Sequence, residues 1–266
     1  RPESSPTFER IVSVEDSRVI LLVSGFWIDV NVNVKLKYFH SYSSQTNNIF
    51  KKIIWFVRRK MRRQGAYSSM TYRSVFRPDL FAGQTIIVTG GGSGLGRCMA
   101  HELASLGAHT IIIGRTLDKL EAVATEITED GGSCGFYSQD IRDEPGVIKT
   151  IEAIVSDRGR IHGLVNNAGG QYPAPLASIT KNGFEAVVSS NLTGGFIMAR
   201  EVFTQSMADH GGAIVNMLAD MWRGMPMMGH SGAARSGMEN LTRTAAMEWA
   251  VAGVRVNAVA PGYVAS

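Results

Sequence analysis

The chain has 266 residues, of which 44% are hydrophobic and 19% charged, enough for one sizeable domain with an appendage. Its two cysteines argue against a disulfide framework and favour a reducing compartment, so we expect a cytoplasmic location. The chain begins with Arg1 rather than Met, so this expectation does not exclude an N-terminal targeting signal ahead of Arg1. No apolar run reaches the length of a membrane span.

The charge is distributed unevenly. Residues 1–80 hold 14 Lys and Arg against 6 Asp and Glu, whereas residues 81–266 hold 13 against 17. The net charge of +4 therefore arises from the N-terminal part. The mildly acidic remainder gives no reason to expect a nucleic-acid partner.

Residues 1–69 differ in character from the rest of the chain. The apolar run from Val19 to Val30 is interrupted by Asp29, and residues 50–63 mix large apolar side chains with seven Lys and Arg. One interpretation of residues 50–63 is a basic element at a membrane surface. Without helix caps or a sustained amphipathic period, we favour a basic extension that is poorly ordered or non-native. We accordingly place the main domain at 70–266.

From residue 84 onward, apolar runs alternate with helical patterns. The sequence predicts strands at 85–89, 110–114, 135–138, 161–166, 213–218 and 254–259, and helices at about 94–107, 117–129, 144–158, 182–209 and 232–251. Strands separated by helices of ten to twenty residues predict an α/β fold. We expect a doubly wound parallel sheet with helices on both faces, in three αβα layers.

A glycine cluster follows the first of these strands directly. The residues Thr89–Gly96 read TGGGSGLG, a TGxxxGxG spacing rather than GxGxxG. Glycines let the backbone turn sharply and approach a pyrophosphate, and the helix N-terminus behind them offers unpaired N–H groups. The phosphates of a dinucleotide are therefore predicted to bind at Gly90, Ser93, Gly94, Leu95 and Gly96.

The residues after the next two strands indicate which cofactor binds and how its adenine is held. Arg115 follows the second strand, where an arginine accommodates the 2′-phosphate of NADP(H), so we predict NADP(H) with NAD(H) as the alternative. The other interpretation of Arg115 is a surface residue at a helix start. Asp140 and Ile141 follow the third strand, where a carboxylate can accept a hydrogen bond from the adenine amino group. Asp140 is otherwise a turn or helix-cap residue.

Three further motifs complete a family pattern: Val165–Gly170 (VNNAGG), Asn191–Gly194 (NLTG) and Pro261-Gly262. With the glycine cluster, they resemble the short-chain dehydrogenase/reductase family over about residues 80–266. The resemblance implies a Rossmann-like sheet, nicotinamide-dependent oxidoreduction of a small molecule, and a homodimer or homotetramer. It assigns Asn191 to a proton relay and, to the cofactor, Asn167, Ala168, Gly169, Pro261 and Gly262. It implies no metal.

The active-site triad of that family is absent. Members of the family carry a Ser after the fifth strand, then a Tyr that acts as general acid or base, and a Lys four residues later. Here Leu218 or Ala219 stands at the Ser place, Ser231 at the Tyr place and Arg235 at the Lys place. Arg235 can still bind the nicotinamide ribose, but it is no proton shuttle because it does not deprotonate.

Three residues are candidates for the missing acid. The first is Ser231, and the second is His230, which is otherwise a structural histidine. The third is Asp220, fifteen residues before Arg235, where dienoyl-CoA reductases carry a proton-donating Tyr. A carboxyl group donates a proton there only if burial favours its protonated form. The other interpretation of Asp220 is a loop carboxylate paired with Arg223.

The stretch His230–Gly237 (HSGAARSG) resembles a subgroup of the family. It is similar to trans-2-enoyl-CoA reductases and to citronellol/citronellal dehydrogenase-like members. Enoyl reduction sends a hydride to the β-carbon and needs donors that stabilise an enolate oxygen, which suits a site without the Tyr. Methionines cluster around the predicted substrate mouth and suit either an apolar substrate or an irregular core: Met217, Met221, Met225, Met227 and Met228.

Three hypotheses for function follow. The first is an NADP(H)-dependent reductase of an enoyl-CoA or a related unsaturated apolar compound. The second is an alcohol or aldehyde dehydrogenase acting on a terpenoid, and the third is a non-catalytic nucleotide-binding protein. Family members continue beyond Pro261-Gly262 with substrate-covering helices and a last strand, so we expect these parts to be missing from a chain that stops at Ser266.

Overall fold

The computed structural model describes residues 75–262 and Val264, together with the backbone of 8–15, 18–23 and 26–31. The chain divides into two compact units, Arg1–Met70 and Thr71–Ser266. In the first unit an antiparallel sheet has the order β1-β2-β3, formed by β1 (Phe8–Glu15), β2 (Arg18–Val23) and β3 (Phe26–Asn31). The basic stretch 50–63 lies outside the described residues. The interpretation of residues 1–69 as an extension stays a prediction.

The second unit contains a parallel sheet of six strands. They are β4 (Thr85–Thr89), β5 (His109–Gly114), β6 (Ser133–Ser138), β7 (Gly163–Asn166), β8 (Gly212–Met217) and β9 (Val254–Val259). Their order is β6-β5-β4-β7-β8-β9, so the direction of winding reverses between β4 and β7. The prediction of a doubly wound α/β fold is confirmed. A ligand crevice is expected where the winding reverses.

Helices cover both faces of this sheet. They are α1 (Gly94–Ser105), α2 (Leu117–Glu129), α3 (Glu144–Arg158), α4 (Lys181–Val188), α5 (Gly194–Val202), α6 (Ala208–His210) and α7 (Gly229–Glu248). Val88 packs in one core with residues of α1 and α2, and its neighbour Ile87 packs in the other with residues of α3 and α5. Alternation along one strand thus produces the three layers. No helix in the described residues is long and apolar enough to cross a membrane.

The structure corrects several predicted boundaries. The helix expected over 182–209 is divided by two π-helical turns, Ser189–Thr193 and Phe203–Met207. The helix expected at 232–251 begins earlier, at Gly229, and ends at Glu248. The strand expected from residue 161 begins at Gly163, because the Ile161 N–H donates to Ser206 Oγ at 2.8 Å instead of to a strand. The other elements differ from prediction by at most two residues at either end, the usual scatter of helix and strand ends.

Candidate active site

A cleft of about 850 Å³ opens where four parallel strands end. Its walls are the loops that follow β4, β5, β6 and β7, which places it at the reversal of the strand order. Ten residues predicted to bind the cofactor line it: Gly90, Ser93, Gly94, Leu95, Arg115, Asp140, Ile141, Asn167, Ala168 and Gly169. The structure therefore brings together the glycine cluster and the ends of β5, β6 and β7.

The turn between β4 and α1 needs its glycines. Gly90 and Gly94 have φ values of +69° and +54°, a region that strongly favours glycine. A Cβ on Gly96 would lie 2.2 Å from the Gly90 carbonyl oxygen, so Gly96 lets the helix pack under the turn and does not itself line the cleft. The Ser93 side chain makes no capping bond, which leaves the first N–H groups of α1 available to a phosphate.

The buried hydroxyl of Thr89 joins the two halves of the cleft. Thr89 Oγ1 donates to the Val165 carbonyl at 3.3 Å and accepts the Asn167 and Ala168 N–H groups, each at 3.0 Å. Asn167 Nδ2 in turn donates to the Thr89 carbonyl at 2.9 Å. Thr89 was part of the sequence motif, but the pattern gave it no role. The structure makes it the residue that sets the spacing of the glycine turn and the loop after β7.

Basic side chains surround the end of the cleft at β5 and β6. Arg115, Lys119, Arg97 and Arg142 line it. Arg97 pairs with Glu126 at 2.6 Å, whereas Arg115 forms no ion pair within the described part of the chain. The charge of Arg115 contributes to the lowered pKa of Asp140. Without an ion pair among the described residues, the Arg115 guanidinium can bind a phosphate in two-point fashion.

Asp140 is held by Arg142, a residue for which the sequence predicted no role. The Arg142 N–H donates to Asp140 Oδ1 at 3.0 Å and its Nε donates to the same oxygen at 2.9 Å. The hydrogen bond to the Arg142 side chain lowers the pKa of Asp140 to about 2. Arg142 thus occupies much of the carboxylate that was predicted to accept from adenine, and that role of Asp140 stays a prediction.

A second group of predicted residues meets beside the cleft. Asn191, on the π-helical turn, donates through Nδ2 to the carbonyls of Gly170 at 2.6 Å and Val187 at 3.0 Å. Its Oδ1 accepts the Gly170 N–H at 3.1 Å and Arg235 Nη2 at 2.9 Å. The π-helical turn thus brings Asn191 into contact with both the loop after β7 and Arg235. Turns of this kind are frequent at functional positions.

Arg235 carries an uncompensated charge. Its Nη1 donates to the Met217 carbonyl, while Nε is buried without a hydrogen-bond partner. No carboxylate in the described residues forms an ion pair with it. Burial lowers the pKa of Arg235 from its ordinary value. A guanidinium nevertheless stays protonated in proteins, so the site holds a fixed positive charge.

Ser231 lies one helical turn before Arg235 and is fully buried. Its Oγ donates to Gln171 Oε1 at 2.5 Å, and Gln171 follows the cleft residue Gly170 in the chain. Ser231, Arg235 and Asn191 are therefore linked through the loop after β7. Their predicted catalytic roles remain predictions.

Other predicted residues lie apart from this group. Asp220 is exposed, without the burial that an acid role requires, and forms no ion pair with Arg223 in the described structure. Pro261 and Gly262 follow β9 and do not line the cleft. Of the methionines, Met221 packs in a small core with Leu218 and Met238, and Met227 is exposed.

Comparisons with known proteins identify the family to which this domain belongs. The short chain dehydrogenase family profile matches residues 84–266. A peroxisomal 2,4-dienoyl-CoA reductase of Danio rerio is 35% identical over 193 residues, 72% of this chain and 64% of that protein. The chain thus spans somewhat less than two thirds of the length of this relative.

Two solved structures are similar over the same region. A citronellol catabolism dehydrogenase (AtuB) of Pseudomonas aeruginosa PAO1 is 66% identical with a TM-score of 0.71, covering 73% of this chain and 80% of that one. A structure from Beutenbergia cavernae, described as an NAD(P) dependent gluconate 5-dehydrogenase with bound NADP at low occupancy, is 37% identical with a TM-score of 0.66, covering 70% and 75%. The chain belongs to the short chain dehydrogenase family.

Proposed function

We propose that this protein uses NADP(H) to reduce a carbon–carbon double bond conjugated to a carbonyl group in an apolar substrate, with an enoyl-CoA as the leading candidate. One observation carries the proposal. The Tyr and Lys of the family are replaced by the buried Ser231 and by Arg235, which is charged and forms no ion pair with a carboxylate among the described residues. Such a site is poorly equipped to deliver a proton to oxygen and well equipped to stabilise an enolate.

The cleft fits the cofactor. The open N–H groups of α1 and the close approach of Gly96 to Gly90 provide a cradle for a pyrophosphate. Arg115, unpaired and at the end of β5, supports a preference for the 2′-phosphate of NADP(H). NADPH, when bound, supplies a hydride. NAD(H) is the alternative cofactor, and a binding titration with NADPH and with NADH distinguishes the two.

The residues beside the cleft then have separate tasks. Arg235 offers its fixed charge and the unpartnered Nε–H to a developing negative oxygen. Asn191 holds Arg235 in place and ties it to the loop after β7 through Gly170. Ser231 keeps Gln171 in register with α7. No proton needs to reach the oxygen, because an enolate takes its proton at carbon.

Steady-state NADPH oxidation tests the proposal. The protein is assayed with trans-2-octenoyl-CoA and, separately, with citronellal, each at saturating NADPH. We expect turnover with the enoyl-CoA and its saturated thioester as product. Turnover with citronellal alone would overturn the enoyl form in favour of the second candidate below. Tight NADPH binding without turnover on either compound would favour a non-catalytic nucleotide-binding protein.

A second candidate is oxidation or reduction of a terpenoid such as citronellol or citronellal. It is supported by the 66% identity to the citronellol catabolism dehydrogenase. In that reaction a proton must reach or leave an oxygen, and Ser231 carries a hydroxyl group at the sequence position of the missing Tyr. Replacing Ser231 with Ala should then abolish activity with citronellal, and retained activity would exclude Ser231 as the acid.

We also infer assembly as a homodimer or homotetramer and a cytoplasmic location. Large apolar side chains are exposed on three helices: Phe184 on α4, Phe196 on α5 and Met247 on α7. Exposed apolar groups of this size often mark interfaces. Sedimentation equilibrium of the purified protein distinguishes an oligomer from a monomer.

A further inference from the structure

His230, the second residue of α7, has a defined tautomer. Its side chain is 0% exposed, and its Nδ1 accepts the backbone N–H of Ser231 at 2.8 Å. A ring nitrogen that accepts a hydrogen bond carries no hydrogen of its own. The imidazole in this arrangement is therefore neutral, with its hydrogen on Nε2.

That hydrogen has no acceptor in the structure. His230 Nε2 is buried and makes no hydrogen bond with any described residue. A buried donor left without a partner is destabilising, and such groups in native proteins are rare enough to call for a reason. The ring of Tyr172 packs edge-on at 4.7 Å between centroids, a contact that supplies at most a weak N–H···π interaction.

The position of the donor points to the active site. His230 and Ser231 are consecutive at the start of α7, and their partners Tyr172 and Gln171 are consecutive on the loop after β7. The same loop provides Gly169 and Gly170 to the cleft. His230 therefore directly precedes the place of the lost Tyr in the chain, and both residues contact the loop after β7.

We propose that the Nε2–H of His230 is a hydrogen-bond donor to the carbonyl oxygen of the substrate. This inference rests on the proposed function, because it requires a substrate with a carbonyl group. The imidazole polarises that carbonyl and keeps its own hydrogen. Loss of the Nε2 hydrogen would leave an imidazolate, so the proton that ends on the α-carbon is taken from solvent water.

The first test observes the donor directly in the wild-type protein. Protein labelled with ¹⁵N-histidine is saturated with NADP⁺, and trans-2-octenoyl-CoA or citronellal is added, which forms a complex that cannot be reduced. The His230 Nε2–H resonance, assigned by its loss in His230→Gln, should move downfield. His162 is the matched control, because its Nδ1 also accepts a backbone N–H, that of Thr85 at 3.0 Å, away from the cleft. Its resonance should not move.

The second test uses two variants. His230→Leu removes the donor, and His230→Gln retains an N–H near the position of Nε2. One donor to an oxyanion is worth about 10²–10³ in kcat, so His230→Leu should lower kcat by about 100-fold or more while the dissociation constant of NADPH stays within about twofold. His230→Gln should keep kcat within about tenfold of wild type. If His230→Leu does not fold, the activity of His230→Gln and the spectra of the wild-type protein still test the proposal.

The outcomes separate the two claims. Normal turnover together with an unmoved His230 resonance, or with full activity in His230→Leu, would overturn this inference and leave the proposed function intact. A moved resonance without NADPH turnover would overturn the proposed function while the donor assignment stands. Failure of both compounds to bind in the presence of cofactor would overturn both.

Discussion

Arg235 Nη2 lies 2.9 Å from Asn191 Oδ1, and this hydrogen bond joins helix α7 to the π-helical turn that interrupts the α4–α5 segment. The same oxygen accepts the Gly170 N–H at 3.1 Å. One amide oxygen thus fixes both the cationic side chain and the loop after β7. The glycine turn on the cofactor side matches the family motif, whereas Ser231 and Arg235 stand at the places of the family's Tyr and Lys.

Removing the charge of Arg235 should abolish most of the activity. Arg235→Met keeps much of the apolar stem but loses the only charge that we assign to the enolate, so kcat/KM with trans-2-octenoyl-CoA should fall by about 10²–10³. Arg243→Met is the matched control on the same helix, since Arg243 is exposed and pairs only with Glu239 among the described residues. Its kcat/KM should stay within about twofold. Equal effects of the two variants would exclude a catalytic role for Arg235.

Arg115 should determine the choice of cofactor. A charged hydrogen-bond pair contributes about 1.5–3 kcal/mol, so Arg115→Ala should weaken NADPH binding by roughly 10- to 100-fold and leave NADH binding almost unchanged. Fluorescence titration of both cofactors measures the ratio. Arg158→Ala, at the end of α3 and paired with Asp157, serves as the control. An unchanged NADPH-to-NADH ratio would assign the 2′-phosphate to another residue.

The hydroxyl of Thr89 should stabilise the fold as well as the site. Thr89→Val is nearly isosteric but leaves the Asn167 and Ala168 N–H groups without their acceptor. We expect the free energy of unfolding to fall by about 1–3 kcal/mol, measured by urea denaturation. Thr89→Ser keeps the hydroxyl and should lose less than half as much. A Val variant as stable as wild type would show that these N–H groups find other partners.

The pair of Asp140 and Arg142 should make a pH-dependent contribution to stability. The pKa of Asp140 falls from 3.8 to about 2 on folding, mainly through the Arg142 side chain. A carboxyl group whose pKa is depressed in the folded state stabilises it fully above its unfolded pKa, and this contribution is lost as the pH falls through the folded pKa. The difference in unfolding free energy between wild type and Arg142→Ala should thus be constant above about pH 4 and shrink between pH 4 and 2. A difference that does not change over this range would contradict the assignment.

Much of the fold could be predicted because its signals are local. The strand Thr85–Thr89 is continuously apolar or β-branched and lies in the middle of the sheet, and the glycines behind it satisfy a backbone requirement that other residues rarely meet. The π-turn at Ser189–Thr193 was not predicted. Its residues keep ordinary helical φ and ψ at both flanks, so the extra residue per turn leaves little trace in the pattern of apolar positions.

The site was predicted only where one segment of sequence is enough. The ends of β4, β5 and β7 could be placed at one cleft from strand order alone. Contacts that join distant segments were not predicted. The hydrogen bond between Ser231 and Gln171 joins residues sixty positions apart, and the sequence assigned no partner to either. Arg142 beside Asp140 was equally missed, because an arginine two residues after an aspartate is common on any surface.

The central claim is the reduction of a conjugated double bond with hydride delivered to the β-carbon. The most direct measurement is a single turnover with NADPH deuterated at the transferred position of C4 and trans-2-octenoyl-CoA, followed by mass spectrometry of the product. We expect octanoyl-CoA with one deuterium, located at C3. Absence of the saturated thioester, combined with deuterium at C1 of citronellol when citronellal is supplied instead, would contradict it.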